Sequence, residues 1–215
     1  MDGLDKLIEP ARTALIVVDV QNDYCHPEGS IAKAGGDVST ADAAVANIQR
    51  LIDSARRNGV AVIFVRNWHE TWTDSDPWLN KKITKSRAAI ARSWGAEFYK
   101  VAPLEHEPII NKYRYSGFVG TALDQALSTY RRETLIMTGV ATNVCVESTA
   151  RHAVFLDYRV VFAADATATA DGDAIQKATL YNMKRHFGRV ATTDEIVEVW
   201  DNAESGAAVA VPLRA

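Results

Sequence analysis

The feature that constrains this chain most is the alternation of short apolar runs with longer amphipathic segments. The runs are rich in β-branched residues and end at polar or turn-forming residues, which is typical of buried strands. Five strands are predicted on this basis: Thr13–Asp19, Val60–Arg66, Pro108–Lys112, Glu133–Gly139 and Arg159–Ala163. Strands that are apolar throughout belong to parallel sheets with both faces covered. The pattern therefore predicts an α/β fold with a mostly parallel sheet between layers of helices.

The segments between these runs repeat apolar residues at helical spacing. In 41–58 the apolar residues share one face, and Gly59 follows as a helix-ending glycine. Thr192 and Glu195 resemble a capping box that opens a last short helix. Before this last helix, four helices are predicted, at Ala41–Asn58, Thr121–Arg131, Asn143–Asp157 and Asp173–Phe187.

The organisation of the chain predicts one domain over 1–215 with an insertion at about 67–105. Of the 215 residues 47% are hydrophobic, which is enough for one substantial core. The insertion fits no strand–helix pattern and carries Trp68, Trp72, Trp78 and Trp94. Long insertions are often lids or subunit contacts, and the sequence leaves both alternatives open.

Charge and hydropathy exclude several classes of partner. The net charge is −3 and the basic residues are scattered, so neither nucleic acid nor a membrane surface is expected as a partner. The longest apolar runs are far shorter than the roughly 20 residues that cross a bilayer. With no secretory signal and only Cys25 and Cys145 as thiols, the sequence predicts a cytoplasmic protein with two free cysteines.

Three reactive side chains stand where predicted strands end. Asp19 closes the first strand, Lys112 closes the third, and Cys145 follows the fourth near the start of a helix. In open α/β sheets ligands bind at the carboxyl ends of the strands, so these groups are candidates for one site. Each also has an ordinary alternative: a turn carboxylate, a solvated lysine and a small buried cysteine.

The three groups suit nucleophilic catalysis. A helix N-terminus and a nearby ammonium, here from Lys112, both favour the thiolate form of Cys145. Asp19 can take the thiol proton and return it to a departing nitrogen. Backbone N–H groups of Ala141 and Cys145 are candidates for an oxyanion hole.

Three motifs resemble the isochorismatase-like cysteine hydrolases: LIVVDVQNDY at 15–24, KYRYSGFVGTALD at 112–124 and TGVATNVCVESTARHA at 138–153. The resemblance implies a Rossmann-like three-layer αβα sandwich and a catalytic triad of Asp19, Lys112 and Cys145. It also implies a cis peptide at Val140–Ala141, and a homo-oligomer, either a dimer or a tetramer.

Differences between this sequence and other classes of the family narrow the range of reactions that it is expected to catalyse. Isochorismatases lack the cysteine nucleophile, which Cys145 supplies here. Nicotinamidases add a metal site with an Asp-x-His motif, but the corresponding stretch here is Asn67-Trp68-His69. No metal and no other cofactor are therefore expected.

The resemblance implies an amidohydrolase that cleaves a small amide or ureido C–N bond through a cysteine thioester, with a ureidoacrylate-type substrate. Alternatives are a biuret, triuret or N-carbamoyl amino acid hydrolase, a nicotinamidase, or an inactive protein that only binds a small molecule. Arg66 or Arg114 is expected to pair with a substrate carboxylate. Side chains beside the motifs are candidates for substrate binding: Gln21, Tyr24, Asn67, Trp68, Tyr115, Phe118 and Asn143.

Overall fold

The computed structural model describes residues 3–80 and 88–203. Within these ranges six strands form one sheet in the order β3-β2-β1-β4-β5-β6, and every neighbouring pair is parallel. The strands are β1 Thr13–Val18, β2 Ala61–Asn67, β3 Ile109–Lys112, β4 Thr134–Val140, β5 Arg159–Ala168 and β6 Arg189–Ala191. The predicted α/β fold is confirmed, and the sheet is parallel throughout.

Helices connect the strands. They are α1 Leu4–Leu7, α2 Asn22–Cys25, α3 Ser30–Lys33, α4 Ala41–Arg57, α5 Asp76–Leu79, α6 Leu123–Thr129, α7 Glu147–Phe155, α8 Asp173–Asn182 and α9 Thr193–Ala203. Short 3-10 turns lie at Pro10–Arg12 and Trp94–Ala96, and π-helical turns lie at Thr142–Val146 and Met183–Phe187. None of the described helices is long and apolar enough to cross a membrane.

The alternating side chains of β1 show why the fold has three layers. Leu15 and Val17 pack into a core with α4 and α9, whereas Ala14, Ile16 and Val18 pack into a second core with α6 and α7. Successive residues of a strand point to opposite faces, so an unbroken apolar run fills both cores. The sheet is therefore the middle layer of an αβα sandwich.

The order in which strands are added to the sheet reverses between β1 and β4, although all the strands are parallel. From β1 it builds β2 and β3 on one side, and β4 to β6 on the other. A crevice forms at the carboxyl ends of the strands where the order reverses, and this is the usual ligand-binding position of such sheets.

Two strand boundaries differ from the prediction. β6 was not predicted, because Arg189–Ala191 is only three residues long and contains no apolar run. β5 continues to Ala168, beyond the predicted end at Ala163, across polar residues that interrupt the apolar pattern. The predicted capping box at Thr192 is confirmed, since the Glu195 carboxylate accepts from the Thr192 N–H at 2.7 Å.

The insertion at 67–105 contains α5 and the Trp94–Ala96 turn in its described parts. Residues 81–87 of this insertion, and the chain ends at 1–2 and 204–215, lie outside the described residues. A single domain over 1–215 and a lid or subunit contact at 67–105 stay predictions.

Gly139 of β4 is expected to tolerate no side chain. Its φ is +115°, and a Cβ there would overlap the carbonyl group of Val18 on β1. We expect Gly139→Ala to lower the free energy of unfolding by about 3 kcal/mol or more, because backbone of the neighbouring strand must move. Urea denaturation measures this. Gly120→Ala is the control: its φ is +65° with open space around the added Cβ, so only about 1–2 kcal/mol is expected. Equal losses in both variants would contradict the steric account.

Candidate active site

The three side chains predicted to react come together in one buried cluster. The Lys112 Nζ lies 2.7 Å from Asp19 Oδ2 and 3.3 Å from Cys145 Sγ. Their exposed fractions are 1% for Asp19, 0% for Lys112 and 6% for Cys145. An aspartate and a lysine are almost never fully buried unless they are paired. The buried pair beside a cysteine therefore marks this cluster as a candidate functional site.

The order of the strands explains how the cluster assembles. Asp19 directly follows β1, Lys112 ends β3, and Cys145 lies in the turn after β4. β2 lies between β3 and β1, and its last residue is Asn67. The long lysine side chain therefore passes Asn67 to reach Asp19.

Asn67 links the carboxylate to the ammonium. Its side-chain Nδ2 donates to Asp19 Oδ2 at 3.0 Å, its backbone N–H donates to Asp19 Oδ1 at 2.8 Å, and its Oδ1 accepts from Lys112 Nζ at 2.9 Å. Sequence reasoning gave Asn67 a role only in substrate binding. The sequence signal for this second role is that Asn67 directly follows a predicted strand, and the reactive residues also stand at strand ends.

The backbone at Asp19 turns sharply to aim the carboxylate. Its φ is +52°, a left-handed conformation that aspartate tolerates better than most residues. The Asp19 N–H still donates to the Val65 carbonyl of β2 at 2.8 Å. The strand therefore remains anchored up to the residue that leaves it.

Burial opposes the thiolate form predicted for Cys145. Cys145 lies in the first turn of the helical segment after β4 and contacts Lys112, as expected. However, burial raises the pKa of the Cys145 thiol to about 12, with Lys112 opposing and Asp19 adding to the rise. The sequence shows the position of the cysteine but not its desolvation, which is the larger effect.

Lys112 remains an ammonium despite its burial. Burial is the largest single influence and lowers its pKa, but the Asp19 carboxylate and the Cys145 sulfur together raise the pKa of Lys112 above its usual value. A permanent positive charge therefore faces both the carboxylate and the sulfur.

The peptide bond Val140–Ala141 is cis, as the resemblance implied. Ala141 and Cys145 both line the cavity next to the cluster. An oxyanion hole formed by their N–H groups stays a prediction.

A cavity of about 970 Å³ opens beside the cluster. It is lined by Asp19 and Cys145 and by three of the residues predicted to bind substrate, namely Tyr24, Asn67 and Tyr115. The Tyr24 hydroxyl accepts from Asn67 Nδ2 at 2.9 Å. Burial and, after it, the Asp19 carboxylate raise the pKa of Tyr24 well above its ordinary value, so the hydroxyl keeps its proton as a donor.

Gln21 lies outside the cavity wall and supports Asn67 from behind. Its Nε2 donates to the Asn67 and Ala96 carbonyls at 3.0 and 2.8 Å, and its Oε1 accepts from the Asn67 N–H at 2.9 Å. Gln21 therefore connects the end of β2 to the Trp94–Ala96 turn.

Trp68, Phe118 and Asn143 also lie outside the cavity wall. The Arg66 guanidinium lies 3.9 Å from the Trp68 ring centroid, and Phe118 packs in the core beside α6 and α7. Asn143 accepts from the Thr169 hydroxyl at 2.6 Å. Direct substrate contacts for these residues and for Gln21 stay predictions.

The two arginines expected to hold a substrate carboxylate have other partners. Arg66 Nε donates to Asn111 Oδ1 at 2.8 Å, and Arg114 Nη1 donates to the Thr73 carbonyl at 3.0 Å. Neither lines the cavity, whereas Arg92 does. Pairing of Arg66 or Arg114 with a substrate carboxylate stays a prediction.

Several cavity residues had no place in the sequence predictions of substrate binding. The described part of the wall also contains Asp37, His69, Glu70, Asp74, Trp78, Arg92 and Asp171. Most lie in the insertion, where no strand or helix pattern fixes their direction. His69 is bonded to Asp74, with Nδ1 2.8 Å from Oδ1.

Alkylation separates the two cysteines. Burial raises the pKa of both Cys25 and Cys145 to about 12, but only Cys145 lines the cavity, whereas Cys25 packs in the core. We expect iodoacetamide to modify Cys145 faster than Cys25. The rate should climb about tenfold per pH unit from pH 7 to 10 without a plateau, because the thiolate fraction rises with pH below the pKa. Peptide mass spectrometry measures this, with Cys25→Ala as control. A plateau near pH 7 would show a resting thiolate instead.

Comparison with known proteins gives three informative matches. The chain is 39% identical over 201 residues to ureidoacrylate amidohydrolase RutB from Variovorax paradoxus (strain S110), covering 86% of this chain and 80% of that protein. A cysteine hydrolase from Pseudomonas syringae pv. phaseolicola 1448A is 30% identical with a TM-score of 0.80, covering 92% of this chain and 96% of that one. N-carbamoylsarcosine amidase from Thermoplasma acidophilum is 28% identical with a TM-score of 0.72, covering 86% and 98% respectively.

A thiol buried against an ammonium and a carboxylate, at the reversal point of a parallel sheet, defines a cysteine hydrolase. The isochorismatase domain matches residues 13–195, which is most of the chain. The chain belongs to the isochorismatase family.

Proposed function

We propose that this hydrolase is an amidohydrolase that cleaves the C–N bond of a small ureido compound, with Cys145 as nucleophile and a thioester intermediate. The observation that carries the proposal is the contact of the Cys145 sulfur with Lys112, whose ammonium also binds Asp19. Nucleophile, proton acceptor and compensating charge stand together beside a cavity.

The first half-reaction begins from the protonated thiol. Sγ of Cys145 attacks the substrate carbonyl carbon while the thiol proton moves to the Asp19 carboxylate. Lys112 stays positive and balances the negative charge that passes to the carbonyl oxygen. The backbone N–H groups of Ala141 and Cys145 receive this oxyanion, and one such donor typically contributes about 3 kcal/mol.

Collapse of the tetrahedral intermediate breaks the C–N bond. Asp19 returns its proton to the departing nitrogen, which leaves as ammonia or an amine, and a thioester remains on Cys145. Water then gives a proton to Asp19 and attacks the thioester carbon. The S–C bond breaks, and the proton on Asp19 restores the thiol.

The printed activities of the relatives support a ureido substrate. Ureidoacrylate amidohydrolase and N-carbamoylsarcosine amidase are both named for compounds that carry the N–CO–NH₂ group. We propose a ureidoacrylate-type compound as the first substrate to test. N-carbamoyl amino acids are the second candidates, since the N-carbamoylsarcosine amidase structure covers 86% of this chain.

An ammonia-release screen tests the proposal. The panel contains ureidoacrylate, N-carbamoyl amino acids, biuret, triuret, nicotinamide and simple amides. We expect turnover of ureido compounds with kcat/KM above that for nicotinamide. Saturable binding of a panel member without ammonia release from any compound would contradict the proposal and favour a binding protein.

We further propose that the enzyme works in the cytoplasm as a homo-oligomer. Both cysteines are free thiols, which suits a reducing compartment. Light scattering after size-exclusion chromatography measures the assembly, and a monomer at micromolar concentration would contradict this proposal.

A further inference from the structure

His69 faces the same cavity as the reactive cluster. It lies two residues after Asn67, and residues two apart along an extended chain point to the same side. Both line the cavity. The backbone of His69 is fixed on both sides, since its N–H donates to the Ala89 carbonyl at 3.0 Å and its carbonyl accepts from the Ala91 N–H at 2.9 Å.

Asp74 fixes the orientation of the His69 ring. His69 Nδ1 lies 2.8 Å from Asp74 Oδ1, and the two side chains are only 14% and 10% exposed. Burial, the largest influence, lowers the pKa of His69, with Lys112 acting in the same direction against Asp74 and Asp19. A neutral imidazole bonded to a carboxylate carries its proton on Nδ1, so Nε2 keeps a lone pair as an acceptor.

Trp78 lies nearly parallel to the imidazole, with ring centroids 6.1 Å apart and an interplanar angle of 27°. Tyr115 follows with its centroid 5.0 Å from that of Trp78. This aromatic wall suits a flat ligand such as a ureido group.

A ureido group differs from a plain amide in one respect that such an acceptor can read. It has an N–H on the substituted nitrogen beside the carbonyl, where an amide has a CH₂ group. Among the hydrogen bonds of the described residues none uses Nε2 of His69. The lone pair of Nε2 can therefore accept a hydrogen bond from a ligand. A buried acceptor rejects a ligand that leaves it unpaired.

We propose that His69, positioned by Asp74, accepts a hydrogen bond from the substituted N–H of the substrate and thereby selects ureido compounds over amides. This inference rests on the proposed amidohydrolase function and names the group that sets its substrate class. His69 contacts the substrate, and Asp74 is a positioning residue that holds the imidazole tautomer.

Two isosteric substrates test the inference. N-carbamoyl-β-alanine carries the N–H, and glutaramate has CH₂ in its place with an otherwise identical skeleton. Ammonia release gives kcat/KM for both compounds with the wild type, His69→Phe and Asp74→Asn. Phenylalanine keeps a ring beside Trp78 without the acceptor. Asparagine can donate to Nδ1, which shifts the ring proton to Nε2 and turns the acceptor into a donor.

We expect the ratio of kcat/KM for the ureido compound to that for the amide to fall about tenfold or more in each variant, because the lost bond affects only the ureido compound. A merely structural role would lower both values together and leave the ratio unchanged, and this result would overturn the inference while the proposed function stands. If the wild type releases ammonia from neither compound and from no other member of the panel, both the inference and the proposed function are overturned.

Discussion

Replacing Cys145 with alanine is expected to lower kcat/KM for the ureido substrate by about ten-thousandfold or more while the chain stays folded, as losses of a nucleophile do in other covalent hydrolases. The Cys145 sulfur forms the covalent bond of the thioester intermediate. A water molecule in its place cannot form that intermediate. Only one small buried side chain is shortened, so the fold is expected to survive.

The matched control is Cys25→Ala. Cys25 is also buried, but it packs in the core with α4 instead of lining the cavity. We expect this variant to lose some stability and keep its kcat/KM. Circular dichroism and ammonia release separate the two effects. Full turnover by Cys145→Ala would contradict the account of the site.

Replacing Lys112 with methionine is expected to cost about 3–5 kcal/mol of the free energy of unfolding, because it leaves the buried Asp19 carboxylate without its ammonium. Lys112 is 0% exposed and Asp19 is 1% exposed, so solvent cannot replace the lost partner. Activity is expected to disappear with the same substitution, since the oxyanion and the proton acceptor both lose the compensating charge. Urea denaturation and ammonia release measure the two losses.

Two further variants serve as controls for the predicted effect of Lys112→Met. Lys177→Met removes a surface ammonium that lies 2.6 Å from Asp173, with exposed fractions of 73% and 74%, and should change stability by less than about 1 kcal/mol. Asp19→Asn combined with Lys112→Met removes both charges and should recover stability relative to Lys112→Met alone, without recovering activity. Equal destabilisation by Lys177→Met and Lys112→Met would contradict the importance of burial.

The sequence predicts the layers and the reactive side chains because both depend on local patterns. An unbroken apolar run such as β1 can be buried only on both faces, and this requires a sheet between helices. Asp19, Lys112 and Cys145 stand at strand ends, which meet at one edge of a parallel sheet.

Other properties of the site depend on spatial neighbours that the sequence does not order. The position of β2 between β1 and β3 places Asn67 against Asp19. No local sequence pattern predicts this order of the strands in the sheet. The raised pKa of Cys145 follows from burial by distant parts of the chain. The bond between His69 and Asp74 forms within the insertion, where the sequence shows no strand or helix periodicity.

Rapid-quench peptide mass spectrometry during the first turnover of a ureido substrate tests the nucleophile most directly. We expect the peptide that contains Cys145 to gain the mass of the acyl or carbamoyl group at least as fast as product forms, with the peptide that contains Cys25 unmodified. A first turnover that releases product while Cys145 stays unmodified throughout would show that no thioester forms at this residue.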